Sequence, residues 1–207
     1  MPPANPVARH LHHCLTATPA VLRALLGALP ADSDFWDLQP DPDRFTPREV
    51  LAHLADWNPI FRDRIALMLA EDHPTLPRIG EDRLPIEHDY ASQDPLKSLD
   101  RFCAGRAELV EKVKALSEVD SVRVGRREDM GDITVADQVV LVAIHDAYHA
   151  REIAEYLEIW RGQSAILIPQ PPQRTEGPPP IPPPPQRRPQ GGAIEVEGRK
   201  GRPPIRG

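Results

Sequence analysis

The sequence is poor in aromatic residues, cysteine and long apolar runs, and each shortage excludes a class of protein. Phe, Trp and Tyr together make up 5% of the 207 residues, and the two cysteines are Cys14 and Cys103. Two cysteines without a metal-type spacing form neither a disulfide framework nor a zinc finger, so we expect a reducing, cytoplasmic location. Because no 18 apolar residues run together and the N-terminus lacks an apolar core, we expect neither a membrane span nor a secretion signal.

Several recognisable catalytic motifs are also missing. The chain has no Gly-rich phosphate loop, no Gly-x-Ser-x-Gly elbow and no His-Glu-x-x-His sequence. Nucleotide binding through a P-loop, serine hydrolase chemistry and zincin-type proteolysis therefore lack support. The Glu-x-x-His pairs of di-iron helical bundles are absent as well.

Residues 169–207 differ from the rest of the chain in composition. They hold 13 of the 26 prolines and 6 of the 12 glycines, but no Phe, Trp, Tyr or Leu. Such a segment buries too little apolar surface to offset the entropy of ordering, so we expect a disordered tail after one folded domain at residues 1–168. The prolines at 178–185 would suit an SH3-type partner, although a solvated extension without a partner is the simpler interpretation.

The charges of the two parts are opposite in sign. The whole chain has a net charge of −6, while the tail carries seven basic and three acidic residues, which leaves −10 for residues 1–168. An acidic domain argues against nucleic-acid binding through its folded surface.

Four amphipathic helices are predicted, and strand signals are nearly absent. Each helix begins at a capping residue, and the apolar residues that follow recur at helical spacing. The predicted starts are Thr18-Pro19 or earlier, Thr46-Pro47, Asp94-Pro95 and Thr134-Val135. Pro59 lies inside the second helix, so we expect a kink or an early break there. Four such helices in about 150 residues favour an all-α four-helix bundle.

Two long connections, residues 72–93 and 118–133, join these helices. Loops longer than about 15 residues in a compact domain are usually functional or mobile. The first connection is rich in proline and glycine, and two interpretations stay open for it: a lid over a site, or a packed strap across the bundle.

Three histidines form the candidate site. His145 and His149 are four residues apart in the fourth helix, which places their imidazoles on one face, and His53 lies in the second helix. Three nitrogen ligands with an open position are typical of a catalytic metal site. We expect a divalent metal, zinc first, with nickel, manganese or iron as alternatives. The competing interpretation, core imidazoles without a metal, requires a polar partner for each ring.

The polar neighbours of these histidines are candidates for supporting roles. Asp56 and Glu152 each follow a proposed ligand by three residues, close enough to orient an imidazole or to receive a proton. Both also fit the description of solvated surface charges. Asp146 and Tyr148 lie off the ligand face, which favours structural roles. Trp57 could form a wall of the pocket, although core packing is the simpler interpretation.

The sequence resembles the DinB-like superfamily, which includes bacillithiol and mycothiol S-transferases, over roughly residues 15–162. The resemblance rests on residues 51–57, 131–135 and 145–153 and on the order and spacing of the histidines. It implies an up-down-down-up bundle, often homodimeric, with His53, His145 and His149 as metal ligands. Relatives frequently carry Gln where this chain has Glu152, and the proline-rich tail has no counterpart in the resemblance.

Taken together, these features predict a metal-dependent enzyme that activates a thiol or water nucleophile for a small-molecule substrate. The reaction would be thiol S-transfer, with a low-molecular-weight thiol as co-substrate, or hydrolysis. The alternative is a noncatalytic scaffold in which the metal ties the second and fourth helices together and the tail recruits partners. Because fold resemblance does not choose a substrate, the sequence leaves its identity open.

Overall fold

The computed structural model describes residues 6–80 and 82–162, so the predicted tail at 169–207 lies outside the described residues. The described residues form six helices and two strands, with 3₁₀ turns at Asp34–Asp37 and Tyr90–Ser92. The elements are α1 (Pro6–Leu26), α2 (Pro47–Ala70), α3 (Leu84–Glu87), α4 (Pro95–Lys114), α5 (Glu118–Ser121), β1 (Val124–Arg127), β2 (Gly131–Thr134) and α6 (Val135–Trp160).

The four long helices form a closed ring of contacts. Helix α2 packs against α4 and α6, and α1 packs against the same two helices. The predicted all-α four-helix bundle is therefore confirmed. Within the part of the chain that the structure describes, no helix has the length and apolar character needed to cross a membrane.

Three of the predicted helix starts are confirmed by their caps. The Thr46 hydroxyl accepts a hydrogen bond from the Glu49 amide, and the Glu49 carboxylate accepts one from the Thr46 amide. Thr134 caps α6 in the same reciprocal way. The Asp94 carboxylate accepts from two amides at the start of α4. These side chains satisfy backbone donors that the first helical turn leaves without partners.

Two prolines lie inside helices: the first helix starts earlier than Thr18-Pro19, as the sequence allowed, whereas the early break considered at Pro59 does not occur. Helix α1 begins at Pro6, so Pro19 lies inside it, and α2 continues through Pro59 to Ala70 without a break. Proline removes one backbone hydrogen bond from a helix interior. In α1, Leu15, Leu22 and Leu26 are fully buried and form one apolar stripe on both sides of Pro19. Burial of that stripe holds the helix together across the missing bond.

A β-hairpin occupies the second long connection, where the sequence predicted no strand. Strands β1 and β2 pair antiparallel, with Val124 opposite Thr134 and Arg127 opposite Gly131. The backbone at Pro74 and Leu76 adds two hydrogen bonds of 2.8 Å to Arg126. Four-residue strands are too short for an alternating pattern to stand out, which explains the missed prediction.

The core consists of two apolar clusters separated by a polar layer. One cluster surrounds Phe61 and Val139, and the other surrounds Leu54 and Tyr156. Along α6, His145 and His149 lie between residues of the two clusters, whereas His53 of α2 lies among residues of the second cluster, one turn before the first begins at Trp57. The bundle thus provides apolar packing on both sides of a set of ionisable side chains.

Candidate metal centre

The structure brings the three histidines together where α2 passes α6. His53 projects from α2 and His145 and His149 from successive turns of α6. The Nε2 atoms of His53 and His145 are 2.9 Å apart, and one ring nitrogen of each histidine lies within 4.8 Å of the others. His53 and His149 are buried, and His145 is partly exposed. Helical spacing alone aligned the α6 pair, whereas His53 arrives through packing of the two helices.

The environment favours the uncharged form of His53 and His145. Burial, reinforced by repulsion from His149 and His145, lowers the pKa of His53 to about 2. Burial also lowers the pKa of His145, against a smaller opposing effect of Asp146. A neutral imidazole has a lone pair, which is the form that binds a metal.

The donor set fits a divalent cation. A hydrogen bond between His53 and His145 uses the lone pair of only one of the two facing nitrogens. A cation would accept lone pairs from both and from His149 as well. The buried Nδ1 atoms of His53 and His145 have no hydrogen-bond partner among the described residues.

Glu152 contacts one of the proposed ligands. The Nδ1 atom of His149 donates to the Glu152 carboxylate at 2.9 Å, and this carboxylate is buried. Arg44 donates to Glu152 and to Glu155, at 3.0 Å each. The contact fixes the His149 tautomer so that Nε2 carries the lone pair. Glu152 therefore lies buried beside the His149 ring and is not a solvated surface charge, the other role considered for it.

Asp56 is not brought to His53. Its carboxylate accepts from Nδ1 of His88 at 2.6 Å and also pairs with Arg101 of α4. The charge of Arg101 and the imidazole of His88 draw the side chain away from the histidine cluster. The expectation that Asp56 orients His53 therefore fails, because helical spacing defines which residues are near but not which partner a carboxylate selects.

The first long connection is anchored at several points, as a packed strap would be. Pro74 and Leu76 bind the backbone of β1, and His88 binds Asp56. Tyr90 is fully buried, with its ring 6.4 Å from the ring of His53. The connection thereby supplies part of the packing around the histidine cluster.

A cavity of about 600 Å³ opens beside the three histidines. Its walls are mainly apolar and aromatic, and come from α2, α6, the hairpin and the segment before α2. The apolar lining consists of Phe45, Trp57, Phe61, Met130, Leu141, Ile144 and Tyr148. Its charged border consists of two basic and two acidic residues, Arg44, Arg127, Asp43 and Glu152. The cavity gives a small molecule access to the imidazoles.

Two contributors to this site were not predicted from the sequence. Arg44 lies 108 residues before Glu152, in a segment without helical periodicity, and Arg127 lies in the missed hairpin. An arginine between helices carries no signal of its own, so only the tertiary contacts identify these two residues. Asp146 and Trp57 have the predicted roles: Asp146 is buried in an ion pair with Arg106, and Trp57 packs against His53.

Comparisons with known proteins agree with this architecture. The chain is similar in structure to YfiT from Bacillus subtilis, described as a probable metal-dependent hydrolase with an unusual four-helix bundle topology. The TM-score is 0.68 at 23% sequence identity, and the match covers 76% of this chain and 89% of YfiT. No curated protein matches the chain. The sequence profile of the DinB superfamily matches residues 14–153. Since that match spans more than half of the chain, the protein belongs to the DinB superfamily.

Proposed function

We propose that this protein is a metal-dependent enzyme in which His53, His145 and His149 hold a divalent cation beside an open cavity. One observation carries the proposal: three imidazole nitrogens from two helices lie within 4.8 Å of one another at the wall of a cavity. A structural zinc site is usually closed by a fourth protein ligand, whereas a catalytic site leaves a position for substrate. No fourth ligand of this kind lies in the cluster among the described residues.

The chemistry of the site follows from the ligand type. A divalent ion held by uncharged ligands keeps its full charge, and it supplies Lewis acidity that makes water or a thiol nucleophilic near neutral pH. Zinc is our first assignment, with nickel, manganese and iron as alternatives, because three imidazoles suit all of them.

The protein side chains around the histidines have separate tasks. Glu152 holds the His149 ring in one tautomer, and Arg44 holds Glu152 in place. The aromatic rings of Phe45, Trp57 and Phe61 shield the imidazoles from bulk water. A drier environment strengthens every charge interaction with a bound substrate.

Hydrolysis and thiol S-transfer are the two reactions that we propose for this centre. The description of YfiT supports hydrolysis, and the S-transferases of the superfamily support thiol transfer with a low-molecular-weight thiol as co-substrate. A noncatalytic scaffold is the alternative, but an open cavity lined by aromatic rings beside the imidazoles favours an enzyme.

Metal analysis of the untagged protein tests the central assignment. We expect about one divalent ion per chain in the wild type and a loss of at least about 100-fold in metal affinity in His149→Ala, because removal of a ligand exceeds the 10- to 100-fold effect of losing an outer partner. His73→Ala is the matched control, since His73 is exposed and lies outside the cluster. Circular dichroism checks that helical content is preserved.

Retention of the full metal content in His149→Ala would overturn the assignment. Where metal binding holds, turnover of the loaded protein is measured with thiols paired with electrophiles and, separately, with esters and amides. A large loss of thermal stability on chelation, combined with no turnover in either panel, would support the scaffold instead.

A further inference from the structure

The cavity beside the histidines continues onto an exposed apolar surface. Ile144 and Tyr148 of α6 are 60% and 48% exposed, and Met130 of the hairpin is also exposed. All three border the cavity, together with the partly buried Leu141. Contiguous exposed apolar groups at the mouth of a pocket are typical of ligand-binding surfaces. This surface therefore suits the apolar part of a ligand.

Arg127 places a positive charge in the wall of the same cavity. Side chains alternate between the two faces of a strand, and on β1 the side chain of Arg126 is 61% exposed while that of Arg127 is 14% exposed. Gly125 shares the face of Arg127 and lies so close to α2 that a Cβ atom there would approach Met68 within 2.9 Å. Packing of the hairpin on α2 thus directs Arg127 toward the bundle.

The two arginines of the cavity differ in how their charges are compensated. Arg44 pairs with Glu152 and Glu155, both largely buried. Within the described part of the chain, Arg127 pairs with Asp129 alone, through Nε at 3.0 Å and Nη2 at 2.6 Å, and the Asp129 side chain is 62% exposed. The Nη1 group of Arg127 donates to no described residue. Because the Asp129 carboxylate is solvent-exposed, it gains little energy from the pair, and another carboxylate can take its place on Arg127.

We propose that Arg127 binds a carboxylate of the substrate, so that the substrate class is a small apolar molecule carrying a carboxylate. The apolar part lies on the surface of Met130, Leu141, Ile144 and Tyr148, and the reacting group faces the histidines. This inference rests on the proposed function, because it assumes that the cavity is the substrate site. Arginine suits the role because its planar guanidinium keeps its charge and matches a carboxylate in geometry.

A matched pair of ligands tests the inference. The probes are 4-(mercaptomethyl)benzoate and its uncharged amide, 4-(mercaptomethyl)benzamide, measured by calorimetry with zinc-loaded protein. Both offer a thiol, which is a favoured ligand of zinc, and the same aromatic ring. We expect the acid to bind about tenfold more tightly than the amide, the ratio that a charge-assisted hydrogen bond supplies.

Three variants separate Arg127 from its surroundings. Arg127→Gln is expected to make the two affinities equal and to leave that of the amide unchanged. Asp129→Asn removes the competing carboxylate, so it is expected to raise the affinity for the acid. Arg126→Gln is the charge-matched control, because Arg126 lies on the opposite face of β1 and does not border the cavity. Zinc content is measured for every variant.

Equal affinities of the wild type for acid and amide, at full zinc content, would overturn the role of Arg127 and leave the metal assignment intact. Acid binding that is unchanged by removal of zinc would also overturn it, because Arg127 borders a second cavity next to residues 76–80 that would then be the binding site. Failure of the wild type to bind any divalent ion would instead contradict the proposed function itself.

Discussion

Glu152 accepts the Nδ1 proton of His149, so the Nε2 lone pair of that ring is the one presented to the other two histidines. The same carboxylate is held by Arg44, and its neighbour Tyr156 donates its hydroxyl to the Phe45 carbonyl. These contacts link the segment before α2 to α6. One imidazole is therefore oriented by side chains that lie far apart in the sequence.

At this scale, Glu152→Ala is expected to weaken metal binding by about 10- to 100-fold, because His149 loses the partner that fixes its tautomer. Glu155→Ala is the matched control: Glu155 also pairs with Arg44 but makes no contact with a histidine of the cluster. Metal affinity is measured by competition with a chelator. Equal losses in both variants would show that Glu152 acts through Arg44 and not through His149.

The packing of the long helices depends on a second group of buried polar side chains, which is centred on Arg106. Nη2 of Arg106, on α4, donates to Asp146 of α6 at 2.8 Å, and Nε donates to Asn58 of α2 at 2.9 Å. Nη1 lies 2.7 Å from the other Asp146 oxygen, although it is not aligned for a hydrogen bond. Arg106 and Asp146 are buried almost completely. Arg106 thus joins three of the four long helices, α6 through the ion pair and α2 through the hydrogen bond.

Arg106→Met is expected to lower the free energy of unfolding by about 3–5 kcal/mol, because it leaves the Asp146 charge buried without its partner. The double variant Arg106→Met with Asp146→Leu removes both charges and is expected to regain most of that loss. Urea unfolding of the three proteins provides the comparison. A double variant as unstable as the single one would show that packing volume, and not the unpaired charge, determines the cost.

For the molecule as a whole, burial of neutral histidines makes folding sensitive to acid. The pKa of His53 falls from its usual 6.5 to about 2 in the folded protein, and that of His145 is lowered as well. Above pH 6.5 the two rings are neutral in both states and contribute no pH dependence. As the pH falls below 6.5, the unfolded chain binds protons that the folded protein does not, so stability decreases.

The free energy of unfolding of the metal-free protein is therefore expected to fall between pH 6.5 and pH 5. Each fully buried histidine contributes at most about 1.4 kcal/mol per pH unit. In His53→Phe the free energy of unfolding is expected to fall less steeply with pH, by up to about 1.4 kcal/mol per pH unit, because one titrating histidine has been removed. Urea unfolding at several pH values measures both slopes, and identical slopes would contradict the contribution of His53.

Two expectations about the whole molecule stay predictions: the homodimer that the family resemblance implies, and the disordered tail at 169–207. The tail lies outside the described residues, and its composition alone supports the expectation. The division into a domain at 1–168 and a tail likewise rests on the sequence.

The helices that carry the site were predictable because their signals are local. The caps at Thr46, Asp94 and Thr134 each satisfy amides within three residues, so the sequence itself displays them. The hairpin at 124–134 was not predictable in this way, because its strands are short and its stability comes from α2 and the strap. At Pro19 the local signal marked a possible helix start, but the helix begins earlier, at Pro6, because the buried stripe of Leu15, Leu22 and Leu26 extends to both sides of the proline.

The sequence by itself determined the four-helix architecture and placed His145 and His149 on one helical face, since helix periodicity follows from local backbone geometry. Only the tertiary structure decided that His53 joins them, that Glu152 and not Asp56 supports the cluster, and that Arg127 faces the cavity. Each of these depends on contacts between residues far apart in the chain. Such contacts are selected by the packing of whole helices, which no short stretch of sequence encodes.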